Sequence, residues 1–280
     1  MSNQPPSQPA AERRAGPWAR CALGLGVTPC AVAIAEHVLP SVHVNPLLGD
    51  VIAFAGATAF PILGLAVAAT AEVSLNAALT IAAPAALTLI ALVWRQPAAS
   101  VTLLLVDGAL VALAWAFGAS LGRRVQHRSH LFPACVVAAC ADLVSLLSPE
   151  GPSHAIAASD RALSVLAVGF PVPGSTALSP ALGVGDLSFI ALVFGVARAH
   201  GLPYPRSVGL CLVGTALAGA GSGLLGVAVP ALVPIAAAVV LGLPTIRVLR
   251  ATDRSAARVS MLIACTVALA TLARWFLTRR

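Results

Sequence analysis

LFPACVVAACADLVSLLSPEGP, residues 131–152, opens with an apolar run, 131–148, broken by one acid, Asp142. No Lys, Arg or Glu lies between Leu131 and Pro149. The run ends at Ser148-Pro149, where the proline drives its predecessor out of helical geometry. Asp142 lies six residues before that end. At 1.5 Å per residue this is a depth of about 9 Å. A second run, ALGVGDLSFIALVFGVARAHG, residues 181–201, carries Asp186 near its start. Its depth is about 5–9 Å by the same rise. The segment 149–182 joins the two runs, so both depths are measured from one face, and the two carboxyls can meet.

The rest of the chain explains why depth is the right variable. Of 280 residues, 59% are hydrophobic and 10% charged, and mean hydropathy is +0.93. Soluble globular chains are roughly 25% charged, so this one lacks the polar surface to cover a water-soluble particle. That excludes a soluble enzyme, a disordered chain and a disulfide-stapled secreted domain. It leaves an all-α polytopic membrane protein. The formal charge is +7, and all 17 basic residues are Arg. They sit in short groups between apolar runs, where a membrane protein places its anchors, and not on one face as a nucleic-acid binder would place them.

A membrane span takes about 20 mostly apolar residues. Nine stretches qualify: 18–39, 47–70, 75–94, 98–121, 131–148, 183–199, 207–227, 231–249 and 258–277. Residues 1–17 are polar and proline-rich and read as a disordered tail. The 18–39 run, with Ala33-Ile34-Ala35, has features of a cleaved signal, but reads better as an uncleaved first span. The organisation is a tail (1–17), four spans (18–130), a core (131–249) and an extra span (250–280). The only long connection, 149–182, contains a strand-like piece at 163–172. With loops numbered alternately, twelve arginines fall on the side of the N-terminus and five on the other. The positive-inside rule then makes the N-terminus cytoplasmic and puts 149–182 outside.

An ionised acid at mid-bilayer costs about 2.5–3.5 kcal/mol on insertion scales, and such residues are functional by default. Three lie well inside apolar runs: Asp107, Asp142 and Asp186. Asp107 has no depth-matched partner. Two carboxyls about 3 Å apart cannot both ionise, so such a pair shares one proton. The ionised member can deprotonate water while the protonated one polarises a carbonyl. Buried acids also serve ion or proton sites in transporters, and on the acids alone both readings stand.

Smaller features follow. Gly183 and Gly185 precede Asp186, allowing close approach of a neighbouring helix and unwinding at the helix start. Gly221-Ser222-Gly223-Leu224-Leu225-Gly226 fits a dinucleotide fingerprint on paper, but lies in an apolar span and reads as helix packing. Pro230-Ala231-Leu232 opens the span two helices after Asp186, where proline removes a donor and leaves carbonyls loosely held. The six cysteines (Cys21, Cys30, Cys135, Cys140, Cys211 and Cys265) form no CxxC pair and read as small apolar filler.

An Asp in one span, Gly-x-Gly-Asp in the next, then a span, then Pro-Ala-Leu: in this order the chain resembles the presenilin and signal peptide peptidase family of intramembrane aspartyl proteases. Residues 142–152 resemble the stretch after that family's first catalytic Asp, and 182–190 the stretch around its second. The likeness covers roughly 131–249. Ala141 stands where the family usually has an aromatic, four spans precede the Asp142 span where it has five, and one extra span follows Pro-Ala-Leu. The resemblance implies a presenilin-like arrangement of helices. It implies that Asp142 and Asp186 are the catalytic pair and that Gly183 and Gly185 are packing glycines. Pro230, Ala231 and Leu232 would shape the active site and help bind substrate.

The implied activity is aspartic endopeptidase cleavage of transmembrane segments or remnant signal peptides, using water and no metal or organic cofactor. The implied partners are membrane-protein substrates and the lipid bilayer, with no nucleic acid. The strand-like part of 149–182 would hold an unwound substrate by strand addition. Three other readings stay open. A prepilin peptidase shares Gly-x-Gly-Asp but usually has paired CxxC in a long loop. A proton-coupled transporter would use the same acids. A catalytically inactive relative would act as a membrane chaperone.

Overall fold

The computed structural model describes residues 16–71, 74–94, 100–175, 178–225 and 229–278. Residues 1–15 of the expected tail lie outside these, as do 98–99 and 226–227 at two expected span ends. The chain is mainly helical. Its elements are α1 (Pro17–Val38), α2 (Pro46–Ala68), α3 (Leu75–Trp94), α4 (Ser100–Arg124), α5 (Leu131–Leu147), α6 (Pro152–Ala157), α7 (Asp160–Leu166), β1 (Ala167–Pro171), β2 (Leu178–Gly183), α8 (Val184–Ala199), α9 (Tyr204–Leu225), α10 (Leu232–Gly242) and α11 (Arg254–Thr278).

Each of the nine expected stretches contains one helix, but six helices are long and apolar enough to cross a membrane: α1, α2, α4, α5, α9 and α11. The expected count of nine is therefore not reached among the described residues. The 231–249 stretch is apolar up to Pro244, yet α10 has 11 residues, or about 16 Å. It stops at Gly242, and Pro244 opens a 3₁₀ turn. The 183–199 stretch begins as strand, so α8 keeps 16 residues, or about 24 Å. An apolar count does not distinguish these from full spans, because the breaks come from backbone geometry and not from polarity.

The main apolar cluster runs from Cys21 on α1 to Ile246 beyond α10, with Trp115, Leu110 and Phe194 fully buried at its centre. Its axis is α4 against α8. A Cβ on Gly118 would stand 2.3 Å from the Ser188 carbonyl oxygen, and one on Gly122 2.9 Å from the Gly195 Cα. Glycines four apart on α4 therefore let the two backbones touch, the small-residue packing that membrane helices use. Helix α11 lies outside this cluster and packs along α5.

The connection between α5 and α8 is built, not loose. After Ser148-Pro149 the chain folds back, and Gly151 donates to the Ser148 carbonyl at 2.9 Å. A Cβ on Gly151 would stand 2.0 Å from the Ser145 carbonyl oxygen, so only glycine allows this reversal. The expected strand at 163–172 is helix α7 up to Leu166 and strand from Ala167. β1 pairs antiparallel with β2, which was not expected, because LSPALG carries a proline and ends in glycine. Every residue of β1 is buried. Phe170 stacks on Phe60 of α2 at 5.6 Å.

Candidate active site

Asp142 and Asp186 line one cavity of about 930 Å³, and Pro230, Ala231 and Leu232 line it with them. The fold thus brings the two acids to one cavity. Asp186 sits in the first turn of α8 and accepts the Gly183 N–H on Oδ2 at 3.1 Å. It occupies the place where an acid favourably meets a helix N-terminus. Asp142 projects from α5 and accepts the Leu232 N–H on Oδ2 at 3.0 Å. Leu232 is the first residue of α10, so its amide has no partner within that helix. Pro234 follows with no N–H at all. Each acid is thus held through one oxygen by a backbone donor.

Gly183 and Gly185 play different parts from those expected. Gly183 ends β2 and caps α8 in extended geometry (φ −74°, ψ 161°). What a Cβ there would meet is the Asp186 carboxyl, at 3.5 Å. Gly185 lines the cavity, and no neighbour comes within 4 Å of where its Cβ would stand. The packing-glycine expectation is corrected: in this helix close packing falls to Gly195, while Gly185 keeps space open beside Asp186. Unwinding at the helix start takes the form of a strand that runs to Gly183.

Two features of the site were not anticipated. The Ser145 hydroxyl, one turn below Asp142 on the cavity face, donates to Ser153 Oγ at 2.7 Å and accepts the Ser153 N–H at 2.9 Å. This ties the end of α5 to the start of α6, and only the density of Ser and Gly in 145–153 hinted at it. Asp107, apart from the pair as expected, is 4% exposed and accepts the Gly169 N–H on Oδ1 at 3.3 Å. Nothing in the sequence links α4 to β1, 62 residues on.

Asp142 is part-buried, and the cavity is bounded by strand β2, the first turn of α8 and the α10 start. Two carboxyls sharing a cavity can divide the work of base and acid on one water molecule. Comparison with models of known families, with curated proteins and with solved structures returns no match.

Proposed function

We propose that this chain is an intramembrane aspartyl endopeptidase of the presenilin and signal peptide peptidase type, acting on transmembrane segments of other proteins. The observation that carries the reading is the convergence of Asp142, Asp186 and the Leu232 amide on one cavity from three separate helices. In the reaction one carboxylate takes a proton from water, and the hydroxide oxygen bonds to the scissile carbonyl carbon. The other carboxyl donates its proton to the carbonyl oxygen. As the tetrahedral carbon collapses, one of its two hydroxyls returns a proton to that second carboxylate, the C=O bond re-forms and the C–N bond breaks. The proton taken from water passes to the leaving nitrogen, and the pair again holds one proton. No metal or organic cofactor takes part.

A helical peptide bond is shielded, because its carbonyl already accepts a hydrogen bond. The substrate must open locally, and strand addition supplies replacement partners. The strand for this is β2 and not the 163–172 piece read from the sequence. Within β1 only Ala167 lines the cavity and the rest is buried, with β2 on one side and Asp107 on its Gly169 amide, whereas Pro180, Ala181 and Gly183 of β2 line the cavity. Three short or interrupted helices, α3, α8 and α10, complete a multi-pass bundle in this reading. The N-terminus is cytoplasmic and the cavity opens toward the opposite side.

The test is reconstitution of the purified chain in lipid vesicles with a single-span peptide substrate. Two fragments whose masses sum to substrate plus water support the reading. Intact peptide together with acid-driven ion movement would replace it with a transporter.

A further inference from the structure

Asp107 has no part in the reaction just described, yet it is a buried acid in the first third of a long apolar helix. Its partner shows what it does. The ladder between β1 and β2 is irregular: Val168 faces Leu182, but Gly169 faces Pro180, so Ala181 is an extra residue on β2. Beside this bulge the Gly169 N–H donates to Asp107 Oδ1 at 3.3 Å. A bulge leaves local groups unpaired, and an unpaired N–H in an apolar interior is unfavourable, so the bulge needs the acceptor that α4 provides. The effect is felt on the other strand. Pro180 and Ala181 line the cavity, and Gly183, at the end of β2, holds Asp186. These contacts form a continuous path from α4 through β1 and β2 to Asp186.

We infer that Asp107 is a positioning residue: by accepting the Gly169 N–H it sets the register of the hairpin, and so determines which substrate bond meets Asp142 and Asp186. This rests on the proteolytic reading above. Strand side chains alternate between faces, so a slip of one residue exchanges them. A peptide added to a slipped β2 then offers a neighbouring bond to the acids.

The experiment compares Asp107→Asn, which keeps an oxygen acceptor, with Asp107→Leu, which removes it at similar volume. Product masses locate the cleaved bond, and amide exchange reports on β1. The Asn variant is expected to cut the wild-type bond within about threefold of the wild-type rate. The Leu variant is expected to cut at least about tenfold more slowly, with its main site moved by about one residue and faster exchange at Gly169. If the Leu variant does not fold, Asp107→Ser, too short to reach Gly169, carries the same expectations. Unchanged rate and site in the acceptor-less variant overturn the inference, as does an Asn variant that behaves like it. If wild type yields no fragments, the proteolytic reading falls. Exchange at Gly169 then still decides whether Asp107 holds the bulge, and equal exchange in all variants overturns that.

Discussion

Asp142 and Asp186 are each held through one oxygen, by Leu232 N–H and Gly183 N–H, leaving the other oxygen for water or substrate. If they act as one unit, cleavage must fail at both pH extremes. At low pH both carboxyls are protonated and no base remains; at high pH both are ionised and no acid remains. A bell-shaped pH–rate profile is expected, with macroscopic values belonging to the pair. A rate that rises steadily with pH would contradict it. Gly185 gives a second test at this scale. Alanine fits the open space there and favours helix over glycine, by up to about 0.8–1.0 kcal/mol in a helix interior and less in this first turn. Gly185→Ala should therefore keep or raise the melting temperature while slowing cleavage, because its methyl enters the cavity. A loss of stability would show that Gly185 packs against something after all. These two acids were legible from the sequence because depth is a local count along each run. The Asp107 to Gly169 bond was not, because it joins segments with no common pattern.

Among the elements, α5 carries Asp142 but is thinly held. Only Leu131 and Cys135 on it are buried. Its partners include α10 and α11, and Cys140 Sγ lies 3.8 Å from Cys265 Sγ of α11. Cys140 lies two residues before Asp142, on the opposite side of α5 from the cavity-lining Ala138 and Ser145. Mild oxidation with iodine should therefore link Cys140 to Cys265 in the membrane-embedded chain, with Cys140→Ser abolishing the product. No cross-link would mean that α11 does not pack there. The cysteines read as filler because 125 residues separate this pair. β2 was invisible for a different reason: LSPALG has neither alternation nor β-branched residues, and its pairing comes from β1 and the wall of α2. The early stop of α10 was written in Gly242 and Pro244, but apolar content outweighed them.

Across the whole molecule, one end gathers the arginine-bearing segments. His200 donates to the Val125 carbonyl at 2.8 Å, and His130 meets Asp253 at 3.0 Å. The first joins the end of α4 to the end of α8 and the second the start of α5 to the start of α11, and Arg123, Arg124, Arg128, Arg198, Arg250 and Arg254 lie at these same termini. The opposite end holds the 149–182 segment, where Gly174 donates to the Leu39 carbonyl at 2.9 Å. The alternation of loops read from the sequence matches this grouping, although α8 and α10 are shorter than a full span. A reporter at 123–130 should then read as cytoplasmic and one within 149–182 as extracytoplasmic. The reverse pattern would invert the direction in which substrates enter.

The claim at the centre is that Asp142 and Asp186 hydrolyse a transmembrane peptide as a pair. Its most direct measurement is the cleavage rate of a single-span substrate by wild type, Asp142→Asn, Asp186→Asn and the double variant, each folded in the same lipid. Each single change should lower the rate on the order of a thousandfold, and the double variant should be no slower than either, because a unit lost once cannot be lost twice. Fragments formed at the wild-type rate by either single variant would contradict the account.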